Sequence, residues 1–324
     1  MQAFEYASPT TLAEAFTLLA AGDAAVLAGG TDLISLMKDY IATPKRVVNI
    51  KGIHELGGIS HPNGGGLRIG ATVTFDELLN NAVVRNHLQA IHQAAAGVTS
   101  PQVRNMGTVG GDLCQRPRCW YYRNGFGLFA MKDGKSLVPE GENKYHAIFG
   151  GGPAYFVSAS SLSPALIALN AKVTLKSQAG SRSVPVEKFF VTPADEQSRE
   201  VDLKPDEILT EIVLPDMAGV KNATYEVRQR EALDWPLVAA SVALQMGGGR
   251  VKSARIVLGH VAATPWICAD AAKSLEGQEV DAATAEKAGA AAVAGAKPLS
   301  QNGYKVQLAK VAVKRALLAA WKEA

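Results

Sequence analysis

Ala28-Gly29-Gly30-Thr31-Asp32 and Gly107-Thr108-Val109-Gly110-Gly111-Asp112 are short glycine turns, each placed where an apolar run hands over to cap-forming polar residues. Glycine at such a point admits positive φ and lets another backbone or a ligand come close. Two such turns converging present a row of backbone N–H groups suited to a pyrophosphate. Neither has the spacing of the G-x-G-x-x-G dinucleotide fingerprint or of the G-x-x-x-x-G-K-S/T phosphate loop. Taken singly, each reads more simply as an ordinary turn.

The chain around them is 324 residues long, enough for two or three domains. With 48% apolar and 19% charged residues it is globular and able to bury a core. The net charge of +3 offers no electrostatic case for nucleic acid. No apolar run reaches the ~18 residues of a membrane-spanning helix, and Ala282–Ala294 is interrupted by Glu286 and Lys287. Met1–Tyr6 lacks the basic and apolar regions of a signal peptide. The only cysteines, Cys114, Cys119 and Cys268, make no disulfide framework. A cytoplasmic protein with reduced thiols is expected, or a periplasmic one if exported as a folded complex on a partner's signal.

Hydrophobic spacing predicts a helix over Thr11–Ala20, a short buried strand at Val26-Leu27, a helix Leu33–Asp39 capped by Thr31 or Asp32, and a strand Arg46–Ile50. The loop Pro62-Asn63-Gly64-Gly65-Gly66 separates this unit from a second layer. There Leu67–Ile69 reads as a strand, Thr74-x-x-Glu77 as a capping box and His87–Ala96 as a helix. Arg116–Gly152 shows no periodicity, and so long a loop is usually functional or disordered. Val173–Lys176 and Glu211–Leu214 read as strands and Pro215–Lys221 as a linker. Beyond it come strands Thr224–Arg230, Leu237–Gln245 and Val251–His260, then helices Ala269–Leu275, Ala282–Ala294 and Lys305–Trp321. Strands first and helices afterwards mark a separate α+β domain.

In combination these segments resemble the FAD-binding medium subunit of the molybdenum hydroxylases, the xanthine dehydrogenase and aldehyde oxidase family. Ala28–Leu33 is similar to the family's first pyrophosphate turn, and Gln102-x-Arg104-Asn105-x-Gly107-Thr108-Val109-Gly110-Gly111 to its second. Asp206–Leu209 with Leu214-Pro215 resembles the end of the FAD domain. Arg255-Ile256-x-x-Gly259 and Leu275-Glu276-Gly277 resemble landmarks of the C-terminal domain. The resemblance implies an α+β fold: a two-subdomain FAD-binding domain of the vanillyl-alcohol-oxidase type over 1–215, with subdomains of about 1–60 and 61–215. A C-terminal α+β domain with a three-stranded antiparallel sheet follows over 220–324.

Leu113–Tyr122 is similar to a subgroup that includes periplasmic-type aldehyde oxidoreductases, which often carry a [4Fe–4S] cluster in the following insertion. Such a cluster needs four thiolates. Cys119 matches one ligand position, but the others fall near Leu128, Leu137 and Ala154, so no cluster is expected here. Instead the insertion is expected to be packed by Trp120, Tyr121, Tyr122 and Phe126. The chain departs from the family elsewhere as well. Asp112 stands where Asn is usual, Ser158-Ala159-Ser160-Ser161 replaces a His-Pro-Ser-Asp stretch, and Glu226 replaces a lysine.

By this resemblance the chain is the FAD-carrying electron-transfer subunit of a heterotrimeric molybdenum hydroxylase, an aldehyde oxidase or dehydrogenase. The molybdopterin lies on a large subunit and the [2Fe–2S] clusters on a small one, with oxygen, a quinone or NAD as final acceptor. FAD contacts are expected from Leu27, Ala28, Gly29, Gly30, Thr31, Asp32, Leu33, Thr108, Val109, Gly110, Gly111 and Asp112, with Asn105, Gln115 and Leu209 as further contacts. No residue stands out as a catalyst or metal ligand, and His92, His146 and His260 have no metal spacing. Trp235 reads either as core or as an indole beside the flavin ring. Arg116–Arg123 reads either as a contact to phosphate or partner, or as a solvated loop. The rival functions are a stand-alone FAD oxidase of the vanillyl-alcohol type and a flavin-free structural subunit.

Overall fold

The first sheet of the computed structural model, which describes residues 1–61, 65–98, 100–231 and 234–322, is parallel. Its strands run in the order Glu5–Ala7, Arg46–Asn49, Ala24–Leu27. Glu5–Ala7 gave no periodic signal because Glu5 and Tyr6 are exposed. The strand Ala24–Leu27 lies at the sheet edge with Val26 36% exposed, which corrects the expectation of a buried strand. Helix Leu12–Ala20 starts at Thr11, whose hydroxyl accepts from the Glu14 N–H, and it buries Leu12, Ala15 and Leu19 against Val48, Ile50 and Ile53. Pro62, Asn63 and Gly64 of the expected glycine loop lie outside the described residues.

The second sheet is antiparallel, in the order Ile59–Ser60, Leu67–Gly70, Ile208–Leu214, Lys172–Ser177, Gly180–Pro185. Its central strand, Ile208–Leu214, is one of the last in this half of the chain to be made, so the second unit closes only when distant segments pair. The Thr74 capping box forms in full: the Glu77 N–H donates to the Thr74 hydroxyl at 3.2 Å and the Thr74 N–H to Glu77 Oε2 at 2.7 Å. The expected helix His87–Ala96 is two helices, Ala82–His87 and Gln89–Ala96, broken at Leu88 (φ −118°, ψ 56°).

The insertion that follows carries a short helix Trp120–Arg123 and a hairpin Met131–Lys132/Lys135–Ser136. Its interior is Tyr122, Leu128, Phe129, Ala154 and Phe156, packed on Leu36 of the first unit and Ala263 of the last. This corrects the expected packing set, since Trp120 and Phe126 are 38% and 41% exposed. Leu128 and Ala154, two of the vacated cluster positions, are buried in this small core.

The third sheet is antiparallel, in the order Val220–Val227, Val238–Gly247, Arg250–Gly259, Trp266–Ile267. The expected sheet of three strands gains the short edge strand Trp266–Ile267, which is too brief to show a period. Helices Ala269–Lys273, Ala282–Ala292 and Tyr304–Lys322 cover one face, and their small side chains allow close approach. A Cβ on Gly289 would overlap the Lys310 carbonyl of the neighbouring helix. The sheet's other face docks on the second unit: the Ala90 N–H donates to Asn222 Oδ1 at 2.8 Å, and Arg255 pairs with Glu187 at 2.7 Å. Among the described residues no helix is long and apolar enough to cross a membrane.

Candidate functional site

The two glycine turns are in direct contact. A Cβ on Gly29 would overlap the carbonyl oxygen of Met106 and lie 3.1 Å from the Gly107 Cα. Gly30 has φ +73°, a conformation that L side chains rarely adopt. Between strand Ala24–Leu27 and helix Leu33–Lys38, the backbone N–H groups of Gly29, Gly30, Thr31, Asp32 and Leu33 have no acceptor among the described residues. A tight turn with consecutive unpartnered, solvent-accessible donors is what an anionic ligand needs, since successive backbone N–H groups form an anion-binding concavity.

The second turn behaves differently. All of its N–H groups but that of Thr108 are taken within the protein: Val109 donates to the Val73 carbonyl at 2.8 Å, Gly110 to Ala71 at 2.9 Å, Gly111 to Thr108 Oγ1 at 3.1 Å, and Asp112 to the Thr108 carbonyl at 2.9 Å. The expectation that both turns offer donors is therefore narrowed, for the second turn, to the Thr108 N–H beside the cavity. Gly110 is needed for packing, because its Cβ would lie 2.9 Å from the Cβ and carbonyl oxygen of Ala71. Val109 is a core residue. The second turn acts as the wall against which the first is shaped.

Asp112 does not act alone. Its buried carboxylate accepts from Ser160 Oγ at 2.5 Å, from the Ser161 and Leu162 N–H groups at 3.1 Å each, and from Gln115 Nε2 at 3.0 Å. Burial still raises its pKa above the usual range. The acid absent from 158–161 and the acid present at 112 thus meet in one cluster. Glu226, found where a lysine was expected, has its side chain 7% exposed, and it pairs with Arg228. Burial raises its carboxyl too. The pair lies under Gly97, whose Cβ would run into both side chains.

Asp32 was expected to cap helix Leu33–Lys38, but its side chain makes no capping bond. The carboxylate accepts instead from the Arg116 N–H at 2.8 Å and pairs with Arg123 at 2.7 Å and Arg118 at 3.2 Å. Arg116 in turn pairs with Glu200 at 3.0 Å, and Arg118 lies 4.8 Å over the Trp235 ring. The arginines of 116–123 are therefore held, which removes the solvated-loop reading. They lock the insertion onto the first glycine turn.

Both turns line one cavity of about 90 Å³, together with Asp112, Gln115, Arg118, Ser161 and Trp235. Asn105 opens on a separate cleft of about 430 Å³ with Lys51, His54, Thr74 and Glu77. Leu27 and Ala28 are half-buried at the end of their strand. Leu209 is 4% exposed in the core of the second sheet and lines neither cleft. Trp235 is 40% exposed, so it is no core residue. Sequence reasoning missed Met106, whose role lies in its carbonyl, and Ser160–Leu162, which contribute a hydroxyl and N–H groups. Neither leaves a side-chain signature at any spacing.

The family model described as the FAD-binding domain in molybdopterin dehydrogenase matches residues 2–217. The chain belongs to the FAD-binding medium subunits of the molybdenum hydroxylases. A second family model, the CO dehydrogenase flavoprotein C-terminal domain, matches residues 223–320. The chain is 32% identical to the aldehyde oxidoreductase FAD-binding subunit PaoB of Escherichia coli K12, with 96% of each chain covered. It is 30% identical to the carbon monoxide dehydrogenase medium chain of Hydrogenophaga pseudoflava, covering 98% of this chain and 97% of that one. Among solved structures, carbon monoxide dehydrogenase of the same organism superposes with a TM-score of 0.78 at 28% identity, covering 99% and 98%. Quinoline 2-oxidoreductase of Pseudomonas putida 86 gives 0.77 at 27%. As a medium subunit, the chain has a mixed α+β fold and a place in a molybdenum-dependent oxidoreductase.

The residues present fit FAD. The unpartnered N–H row of Gly29–Leu33 matches a pyrophosphate, and the glycine at 29 keeps clear the space that a side chain would fill.

Proposed function

We propose that this medium subunit binds FAD non-covalently through Gly29–Leu33, and relays electrons from the [2Fe–2S] clusters of a small partner subunit to an external acceptor. A large molybdenum subunit would oxidise an aldehyde. The aldehyde reading rests on the PaoB likeness and on Leu113–Tyr122. The observation that carries the proposal is the consecutive unpartnered N–H groups pressed against the second turn. We place the boundary between the FAD-binding and C-terminal domains at 215–220, and the complex in the cytoplasm, or in the periplasm if a partner's signal exports it.

Bound flavin supplies two-electron and one-electron redox chemistry that no side chain here possesses. The chain's own residues bind and orient. Gly29–Leu33 offer donors to the phosphates, and Asp32 holds the insertion against the site through Arg118 and Arg123. Asp112 fixes Ser160–Leu162, and with them Ser161 at the cavity wall.

The test is the absorbance of the purified chain. Bands at about 375 and about 450 nm are expected for bound flavin. Their absence overturns the reading, and a broad shoulder near about 400 nm would restore an iron–sulfur cluster instead. Co-purification with a molybdenum subunit decides against a stand-alone oxidase.

A further inference from the structure

We propose that a second cleft, beside the turn cavity, binds a flat molecule of the quinone class, its ring against Trp120 and Trp235 and an oxygen toward His260. The cleft has a volume of about 260 Å³. Trp120, Tyr145 and Trp235 stand at its mouth, each 38–40% exposed. Large aromatics gathered at one opening are uncommon on a soluble surface, and they suit a planar guest.

The floor of the cleft is polar and incompletely satisfied. Lys305 is 1% exposed, and its ammonium donates to the carbonyls of Tyr145 and His146 at 3.2 Å each and of His260 at 2.6 Å. Among the described residues no carboxylate pairs with it. These three bonds take every proton of the ammonium, and burial pulls its pKa down to about 7, so the unmet polar capacity of the floor lies on the histidines. His260 is 3% exposed, stands at φ +61°, and its buried Nε2 has no partner. A non-glycine residue held in the left-handed region beside a cavity is a mark of function. His146 adds a buried Nδ1 without a partner, while its Nε2 meets Cys119 Sγ at 3.2 Å. Burial keeps both imidazoles neutral, with pKa values pulled down to about 3 for His260 and about 4 for His146. Each neutral ring can then meet a quinone oxygen through its N–H.

Size and position select among acceptors. Pockets for drug-sized ligands run from about 300 to 1,000 Å³, so this cleft suits the ring system of a one- or two-ring molecule. Dioxygen needs no aromatic seat. Arg118, Trp235 and Pro236 line both this cleft and the turn cavity, so the two are neighbours. The redox role, unlike the binding, rests on the flavin reading. Reduced flavin and quinone give oxidised flavin and quinol, two electrons and two protons passing from the first to the second.

The experiment titrates 1,4-naphthoquinone into the full-length chain, with and without added FAD. It reads binding by equilibrium dialysis and by quenching of tryptophan fluorescence, and flavin content by absorbance. Saturable binding of one quinone per chain is expected. Two variants should weaken it at least about tenfold. Ala159→Phe fills the cleft, and His260→Asn removes the imidazole with a side chain that tolerates positive φ. Non-saturating uptake, or uptake unchanged in both variants, overturns the proposal. So does displacement of FAD by the quinone, which would make this cleft the flavin's own seat. A chain that takes quinone but never flavin overturns the proposed function and leaves the site standing.

Discussion

Gly29 lies flush against the carbonyl of Met106, and that contact joins two turns far apart in the chain into one surface. Replacing Gly29 with Ala forces the turns apart. We expect flavin retention to fall at least about tenfold and stability to drop by about 2 kcal/mol. Gly295→Ala, where a Cβ meets nothing within 4 Å, serves as the neutral control. Absorbance of the purified variants and urea unfolding read the two effects. Full flavin retention in Gly29→Ala would remove the cradle from the binding account.

Asp32 couples that cradle to the insertion. In Asp32→Asn the ion pairs to Arg118 and Arg123 weaken, and a stability loss of about 2 kcal/mol is expected for this partly buried network. Hydrogen exchange should accelerate in 116–130 more than in the C-terminal sheet. Uniform exchange across the chain would mean the insertion is held by its apolar core alone.

Asp112→Asn turns one acceptor oxygen into a donor facing the donors of Ser160, Ser161, Leu162 and Gln115. The mismatch should destabilise the chain by about 2 kcal/mol. Ser160→Ala, which leaves the backbone donors in place, should do so by about 1 kcal/mol. Unfolding midpoints check the order of the two variants, and the reverse order would show that the hydroxyl, not the carboxylate, organises the cluster.

Acid should weaken the fold through its buried histidines. His260 and His146 titrate near 3 and 4 when folded, against 6.5 when exposed. Below pH 6.5 the unfolded chain takes up protons that the folded chain refuses. Stability therefore falls as pH drops toward 4, by up to about 1.4 kcal/mol per pH unit for each histidine. Urea unfolding between pH 7 and 5 measures the slope, and His260→Asn should reduce it by one proton. An unchanged slope would mean that His260 charges freely in the folded state.

The sequence was legible where local rules and long-range needs agree. Thr74 and Glu77 announced a capping box that forms in full, and the alternating and apolar runs of the last sheet fell close to their observed strands. Glu5–Ala7 and Trp266–Ile267 were silent because strands of two or three residues at an edge carry no period. At the site, glycines marked both turns, but not which of them keeps free donors. That depends on Val73 and Ala71 supplying acceptors to the second turn, a pairing set by tertiary structure. Asp32 misled for the same reason. Its cap signal was local, whereas Arg118 and Arg123 compete for it from across the insertion. His260 gave no signal at all, since a single histidine gains meaning only from Lys305 and the cleft around it.

The small core of Tyr122, Leu128, Phe129, Ala154 and Phe156 has one more consequence. A loop stapled by metal folds only once the metal is delivered, and chelators undo it. Apolar side chains close this insertion instead, so a chelator is expected to leave its hydrogen-exchange protection unchanged.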